Sequence, residues 1–546
     1  MKKLFMIMLL ASAISGAKAC TNLIATKGAT KDGSILVTYD ADSYGMFAGL
    51  RHHAGGIHQK ADRCEIVDYD SHVSHGFIPE APVTYNVIGN INEFQVSIGE
   101  TTYGGRDEMI DKNGTIDYGS LMYLGLQRSK TAREAIKVMT SLVETYGYCS
   151  SGETFTIADK NEVWLLEMQG CGGDDKQKVV WVAVKIPDGM ITAHANQSRI
   201  GQFSTYGTEV IKSKNCISYA RSKGWFTGKD KDFNWKMAYA KPTFTGRRWC
   251  EARVWSYFNH FKDMSRWLPW ALGKDPNAED MPLWIEPNKK LDVAIMAECM
   301  RDHFEGTPLS LDQDQGQGIW SMPYRPTPLE FEVDGKKYFN ERPISTQQTG
   351  FSYICQMRSW LPDVIGGIIW FGNDDANMVA YVPIYCGSTV QPECFNTPGA
   401  DDVTFSDKNA FWVCNWVSNM VYPRYNMMFP SLKQVRDSLE NSYYANQKAV
   451  EDRAQELYAI DRAAAVEYLN AYSITLSDQM IDRWRKLAIY LIVKYNDMAV
   501  KPEKDGKFLR TEAGIGAPVS RPGYGEYTRK ALIKETGDKF LVPEEK

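Results

Sequence analysis

Long apolar runs are missing from most of this chain of 546 residues. Beyond the first nineteen residues no stretch of about 18 apolar residues occurs, which excludes an ordinary membrane-spanning helix there. Histidine is scarce, with 8 residues, so a His-rich metal store is excluded. No CxxC pair occurs among the 11 cysteines, which argues against a thioredoxin-type redox site and a zinc ribbon. Positive charge is not in excess. The 62 Lys and Arg against 67 Asp and Glu give a net charge of −5, without the basic footprint that nucleic-acid binding needs. Internal repeats and low-complexity tracts are also lacking. Gly104-Gly105 and the Gly170–Gly173 turn lack the following Lys-Ser/Thr of a phosphate loop. What remains, 44% hydrophobic and 24% charged residues with 15 Trp and 29 Tyr, is the composition of a globular protein.

The first twenty residues carry a strong signal. Lys2 and Lys3 form a positive start, Leu4 to Ala13 is a short apolar stretch, and Ala17-Lys18-Ala19 is a small-residue cleavage site. Together they read as a secretory signal peptide over 1–19, cleaved after Ala19, which predicts a secreted or periplasmic protein. Cleavage exposes Cys20 as the first residue. One reading is lipidation of that cysteine, but Ala17 and Lys18 do not fit the usual lipoprotein pattern. The other reading leaves a free thiol beside a free α-amine with a pKa of about 7.7–8.0, a nucleophile with its own base. Lipidation would block both groups. The ten other cysteines are either disulfide-bonded in an oxidising compartment or small buried hydrophobes.

Residues 20–26 and 34–39 flank an Asp-Gly turn and read as a β-hairpin that starts at Cys20. Phe94–Thr102 alternates and reads as a strand. Thr131–Tyr146 reads as a helix: Thr131 and Glu134 form a capping box, and Gly147 ends it. Strands are expected at Thr154–Ala158, Val163–Met168, Val179–Lys185, Ile368–Phe371 and Met378–Ile384, with a turn at Gly170–Asp175. Residues 262–290 read as loops and short helices. Lys433–Asn470 and Leu476–Val500 read as two long helices joined near 470–475, followed by a charged surface tail. Adjacent β-pairs with interleaved helices predict an α+β layered fold rather than a parallel sheet.

Several segments now combine. Cys20-Thr-Asn-Leu after a leader, Tyr39-Asp-Ala-Asp-Ser43, the run from Asn92 to Thr102, Gly152-Glu-Thr-Phe155, Trp164-Leu-Leu-Glu167 and His194-Ala-Asn-Gln-Ser-Arg199 together resemble the C69 dipeptidases. These are N-terminal-nucleophile hydrolases, with bile salt hydrolases and penicillin V acylases as more distant relatives. The resemblance runs from Cys20 to about Tyr425. It implies a four-layer αββα Ntn-hydrolase sandwich in a catalytic domain over 20–425. A helical C-terminal extension and tail over 426–546 would follow. It also implies hydrolysis of dipeptides with a free N-terminus, with no cofactor and no metal.

Each site residue has a plain reading beside the chemical one. Cys20 is the expected nucleophile; otherwise it is an ordinary buried or lipidated cysteine. Asp42 is expected to bond the cysteine or its amine; otherwise it is a turn residue. Wider relatives carry Arg three positions earlier, where this chain has Tyr39. Asn196 is an expected oxyanion donor, with a second from a backbone N–H near Glu100-Thr101, so Thr101 joins the set. Arg253 resembles a late Arg that sets the cysteine's surroundings in the acylases; the competing reading is a surface basic cluster. Glu100 and Asp42 are the carboxylates expected to meet a substrate ammonium. His52, His53, His58, His72 and His75 match no zinc spacing, and His194 reads as structural. The expected partner is a small peptide, with no nucleic acid and no membrane span; a homo-oligomer is left open. An N-acyl amidase of the same fold and a non-catalytic surface lipoprotein that binds peptides or glycans are the alternatives.

Overall fold

The computed structural model describes residues 20–173 and 176–544, so the signal peptide expected over 1–19 and the tip of the Gly170–Asp175 turn lie outside the described residues. The longer elements are β1 (Asn22–Ala25), β2 (Ile35–Asp42), β3 (Arg63–Val67), β4 (Ser74–Pro79) and β5 (Ser97–Gly104). Then come α1 (Tyr118–Gln127), α2 (Ala132–Tyr146), β6 (Gly152–Ala158), β7 (Val163–Gly170), β8 (Val179–Lys185) and β9 (Ile191–His194). The second half contributes α3 (Ala252–Asn259), β10 (Thr349–Met357), β11 (Ile368–Asn373), β12 (Val382–Tyr385), α4 (Ala410–Val421), α5 (Tyr425–Ile460) and α6 (Arg462–Tyr495).

Two antiparallel sheets hold the site. The first runs β9-β1-β2-β10-β11-β12, with Trp284–Ile285 on its β9 edge. The second runs β8-β7-β6-β5 and continues through short strands at 91–92, 87–88 and 52–53. This is a mixed α+β fold with antiparallel sheets and long C-terminal helices. The sheets touch beside the start of β1, where Asn22 Nδ2 donates to Glu100 O at 2.7 Å and Tyr353 Oη to Ile98 O at 3.3 Å. Gly99 makes that approach possible: a Cβ there would lie 2.5 Å from Asn22 Oδ1. Both faces of β2 are buried, which is why its sequence reads as a nearly continuous run.

Local signals place α2 well. Thr131 accepts the Glu134 N–H at 3.2 Å, and Gly147, at φ +81°, bonds back to Val143 O. Glu134 reaches back to the Lys130 N–H rather than to that of Thr131, so the box closes one residue early. Its apolar face packs with α1 over the second sheet.

Three expectations are corrected. The strand read from Phe94 begins at Ser97, because Asn92 Oδ1 accepts from the N–H groups of Phe94 and Val96 and turns the chain, with Gln95 at φ +66°. The strand read over Met378–Ile384 is only Val382–Tyr385. The long helices break at Asp461, not at 470–475: Asp461 is extended (φ −155°) and caps α6 through the Ala463 N–H. Ser473 and Thr475 sit inside α6, where Thr475 Oγ1 bonds back to Ala471 O. Strand β10, central in its sheet, and helix α4 are elements that the sequence reading passed over. Cys355, Cys386 and Cys414 are buried free thiols packed as hydrophobes. Among the described residues no helix is long and apolar enough to cross a membrane.

Candidate active site

Cys20 leads into β1 and is 5% exposed. Among the described residues two side chains bond its sulfur. Tyr39 Oη lies 3.5 Å from Sγ and Glu100 Oε1 lies 3.6 Å from it; Tyr39 Oη also donates to Glu100 Oε1 at 2.6 Å. Tyr39 thus puts a hydroxyl on the thiol.

Arg253 is wholly buried on α3, which overturns the reading of a surface cluster. Its Nη1 donates to Cys20 O at 2.9 Å and Thr21 Oγ1 at 2.7 Å. Its Nη2 donates to Ala195 O at 3.1 Å and Asn196 Oδ1 at 3.0 Å. One rigid fork therefore ties the Cys20 backbone to the turn after β9. The same bonds orient Asn196: its oxygen meets Arg253, and Nδ2 donates to Thr102 O at 2.8 Å. Asn196 holds φ +60°, a strained region for a side-chain-bearing residue and a common one at functional turns. The turn is fixed from beneath. Glu167 Oε1 accepts from the N–H groups of Arg199 and Ile200 at 2.8 and 3.0 Å, and Glu167 also accepts from the Ser198 hydroxyl. Arg199 pairs with buried Glu251 at 2.9 Å.

Asp42 ends β2 inside a network: Oδ2 accepts from Arg342 Nη2 at 2.9 Å and Oδ1 from Thr349 Oγ1 at 2.6 Å. Burial lifts its carboxyl to about 6 against the lowering by those partners. Asp40, two residues earlier on the same face of β2, accepts from the backbone N–H of Thr21. Thr101 Oγ1 bonds His194 Nδ1 at 2.7 Å, and Thr156 Oγ1 bonds the other ring nitrogen at 2.6 Å. Burial, then the nearby Arg199 charge, lowers His194 to about 3, so this imidazole is neutral and spoken for at both nitrogens.

Carboxylates dominate the electrostatics. Burial first, then the charges of Glu100 and Asp42, pushes the Cys20 thiol well above its ordinary value. Burial also raises Glu100, while bonds from Glu153, Tyr39 and Cys20 pull it down. Glu153 stands opposite Thr102 on the neighbouring strand, and burial and the Glu100 charge push its carboxyl well above its ordinary value.

A cavity of about 970 Å³ opens beside this network, with Asn196, Thr102, Tyr118, Trp249, Arg342 and Asp70 on its wall. Asp70 also lines an adjoining cavity of about 470 Å³ with Tyr44, Phe47 and Phe351. Glu100 and Asp42 line neither; the wall carboxylates are Asp68 and Asp70 in the larger cavity and Asp70, Asp401 and Asp402 in the smaller. Sequence reasoning passed over Asp40, Glu153, Asp70 and Arg342. Asp40 had a signal, since residues two apart on a strand share a face with Asp42. Arg342 comes from an irregular segment and had none.

Comparison with known proteins fits this arrangement. The family model for "Peptidase family C69" matches residues 19–438. A probable dipeptidase of Latilactobacillus sakei is 24% identical over 459 residues, 80% of this chain and 89% of that protein. A probable dipeptidase of Salmonella dublin is 25% identical over 396 residues, 68% of this chain and 81% of its own length. Probable dipeptidase B of Streptococcus pyogenes serotype M1 is 24% identical over 499 residues, covering 87% and 93%. With the match beginning beside Cys20 and spanning both sheets, the chain belongs to peptidase family C69.

Proposed function

We propose that the chain is an exported cysteine dipeptidase whose nucleophile is the N-terminal Cys20, exposed by cleavage after Ala19. The two sheets and their helices form the αββα sandwich of an N-terminal-nucleophile hydrolase over 20–425, with 426–546 as a helical extension. The observation that carries this reading is the Arg253 fork, which joins the Cys20 backbone to Asn196 on the cavity wall.

The thiol is held protonated by burial and by neighbouring carboxylates, so it needs a base close by. A freed α-amine on the same residue supplies one. The thiol proton moves to that amine, and sulfur attacks the scissile carbonyl. Asn196 Nδ2 and a backbone N–H near Glu100-Thr101 stabilise the oxyanion. The ammonium protonates the leaving amine, a thioester forms, and the amine then activates water to release the acid. Tyr39 and Glu100 hold the sulfur, and negative charge at Asp40 and Asp42 favours the ammonium state. On the cavity wall, Asp70 meets the substrate's free ammonium. That favours dipeptides over N-acyl amino acids, whose nitrogen carries no charge.

The purified exported protein should begin at unmodified Cys20 by mass analysis. Cys20→Ala should lower dipeptide hydrolysis by at least about 10³-fold with the fold intact by circular dichroism. Retained turnover, or a lipidated Cys20 in an active preparation, would overturn the mechanism. Turnover of N-acyl amino acids alone would assign the amidase activity instead.

A further inference from the structure

The turn after β3 and the start of α1 meet at the rim of the large cavity. Asp68 follows β3, His75 lies in β4, and Asp117 is the N-cap of α1. One ligand-type atom from each lies within 4.8 Å of the other two. The local bonds of each acid go to a single oxygen. Asp68 Oδ1 accepts from Ser71 N at 2.7 Å, Ser71 Oγ at 2.6 Å and Asp70 N at 3.2 Å. Asp117 Oδ1 accepts from Gly119 N and Ser120 N at 3.0 Å and from Tyr69 N at 3.3 Å. Asp117 is wholly buried, yet its Oδ2 has no hydrogen-bond partner among the described residues. Helix capping accounts for one oxygen only, and leaving the other unmet costs roughly 1–3 kcal/mol. His75 makes no ion pair with either acid among the described residues; its Nδ1 lies 3.5 Å from Cys149 Sγ, and Cys149 and Asp68 both line the cavity.

We propose that Asp68, His75 and Asp117 bind one divalent cation of the zinc class at the rim of the cavity, with the Cys149 thiol beside it. An imidazole nitrogen and two carboxylate oxygens next to a sulfur suit Zn²⁺, whereas Ca²⁺ and Mg²⁺ take oxygen ligands. The histidine spacing along the chain gives no hint of this site, because its ligands come from a turn, a strand and a helix cap. The cation would pin the β3–β4 hairpin to α1. Asp70, two residues after Asp68, accepts from Tyr118 Oη at 2.9 Å, and Tyr118 directly follows Asp117. Both line the cavity, so the cation would fix part of its wall without entering the chemistry at Cys20.

The full chain, stripped with a chelator, is titrated with Zn²⁺, desalted and analysed for metal content and thermal unfolding. The native sequence should retain about one zinc more per chain than Asp117→Asn or His75→Ala, with a Tm several degrees above its metal-free form. Asp117→Asn keeps an oxygen to cap α1, and His75 is only half-buried, so at least one variant should fold. Equal zinc content and equal Tm gain in all three proteins would overturn the site, as would a native chain that retains no zinc. Both readouts are independent of Cys20 activity.

Discussion

At Arg253 a single guanidinium serves two ends of the site. Arg253→Lys keeps the charge but cannot hold Cys20 O and Asn196 Oδ1 together. The expected result is a fall in kcat of about 10–100-fold with KM changed far less, since the loss is in transition-state positioning. Steady-state kinetics on a dipeptide check it. Glu167 offers a separate test through pH. Burial raises its carboxyl from the usual 4.5 to about 7, so the folded chain binds the proton more tightly than the unfolded one. The stability this gives is complete below pH 4.5 and is lost as pH rises through about 7. At roughly 1.4 kcal/mol per pH unit, that is about 3 kcal/mol. Glu167→Gln should remove that part of the pH dependence between 4.5 and 7, read as flatter urea midpoints across that range. His194, lowered to about 3, acts in the opposite sense below pH 6.5, so the comparison must be between native chain and variant. Cys20 and Asn196 stood out in the sequence because the leader-like residues before Cys20 and a short motif mark them. Glu153 and Asp70 did not, because a carboxylate acquires its role only from the strand or helix opposite it.

Among elements, β5 makes a close backbone approach to the other sheet at Gly99. Gly99→Ala would place a methyl group 2.5 Å from Asn22 Oδ1 and 3.3 Å from Tyr353 Oη. The backbone there is not left-handed, so the cost is steric, about 1–3 kcal/mol. The variant should unfold at lower temperature and lose activity, because the shift reaches Asn22, two residues from the thiol. An unchanged Tm would show that the sheets can separate freely at this point. Helix α2 was legible from end to end because caps and amphipathic period agree. Strand β10 was not: Phe351, Tyr353, Cys355 and Met357 alternate with Ser352 and Gln356, but both faces are buried and Ile354 breaks the pattern. The break between α5 and α6 lay in a single Asp461 cap, while the polar run 470–475 imitated a turn.

For the whole molecule, the question is whether the proposed extension over 426–546 is separable from the catalytic part. Its long helices are sewn to the first sheet and its neighbours by buried charge. Glu440 on α5 accepts from Arg301 Nη2 at 2.5 Å and from Tyr381 N at 2.9 Å. Glu451 pairs with Arg358 at 2.7 Å and accepts from Tyr385 Oη at 3.3 Å. Cutting the chain at 425 would leave Arg301 and Arg358 without these carboxylates, and breaking a buried pair costs about 3–5 kcal/mol. It would also uncover the apolar surface that α6 buries with Leu476, Met480, Trp484 and Leu491. A chain ending at 425 should therefore be insoluble or unfolded. The stretch after Val500 is different: its described residues are half-buried or exposed, and its helix Glu526–Thr536 has no buried side chain. A chain ending at 500 should keep its circular dichroism, its Tm within a few degrees and its peptidase activity. If the shorter chain folded and turned over substrate, the long helices would be an independent module and the buried Glu440 and Glu451 pairs would carry none of the stability assigned to them.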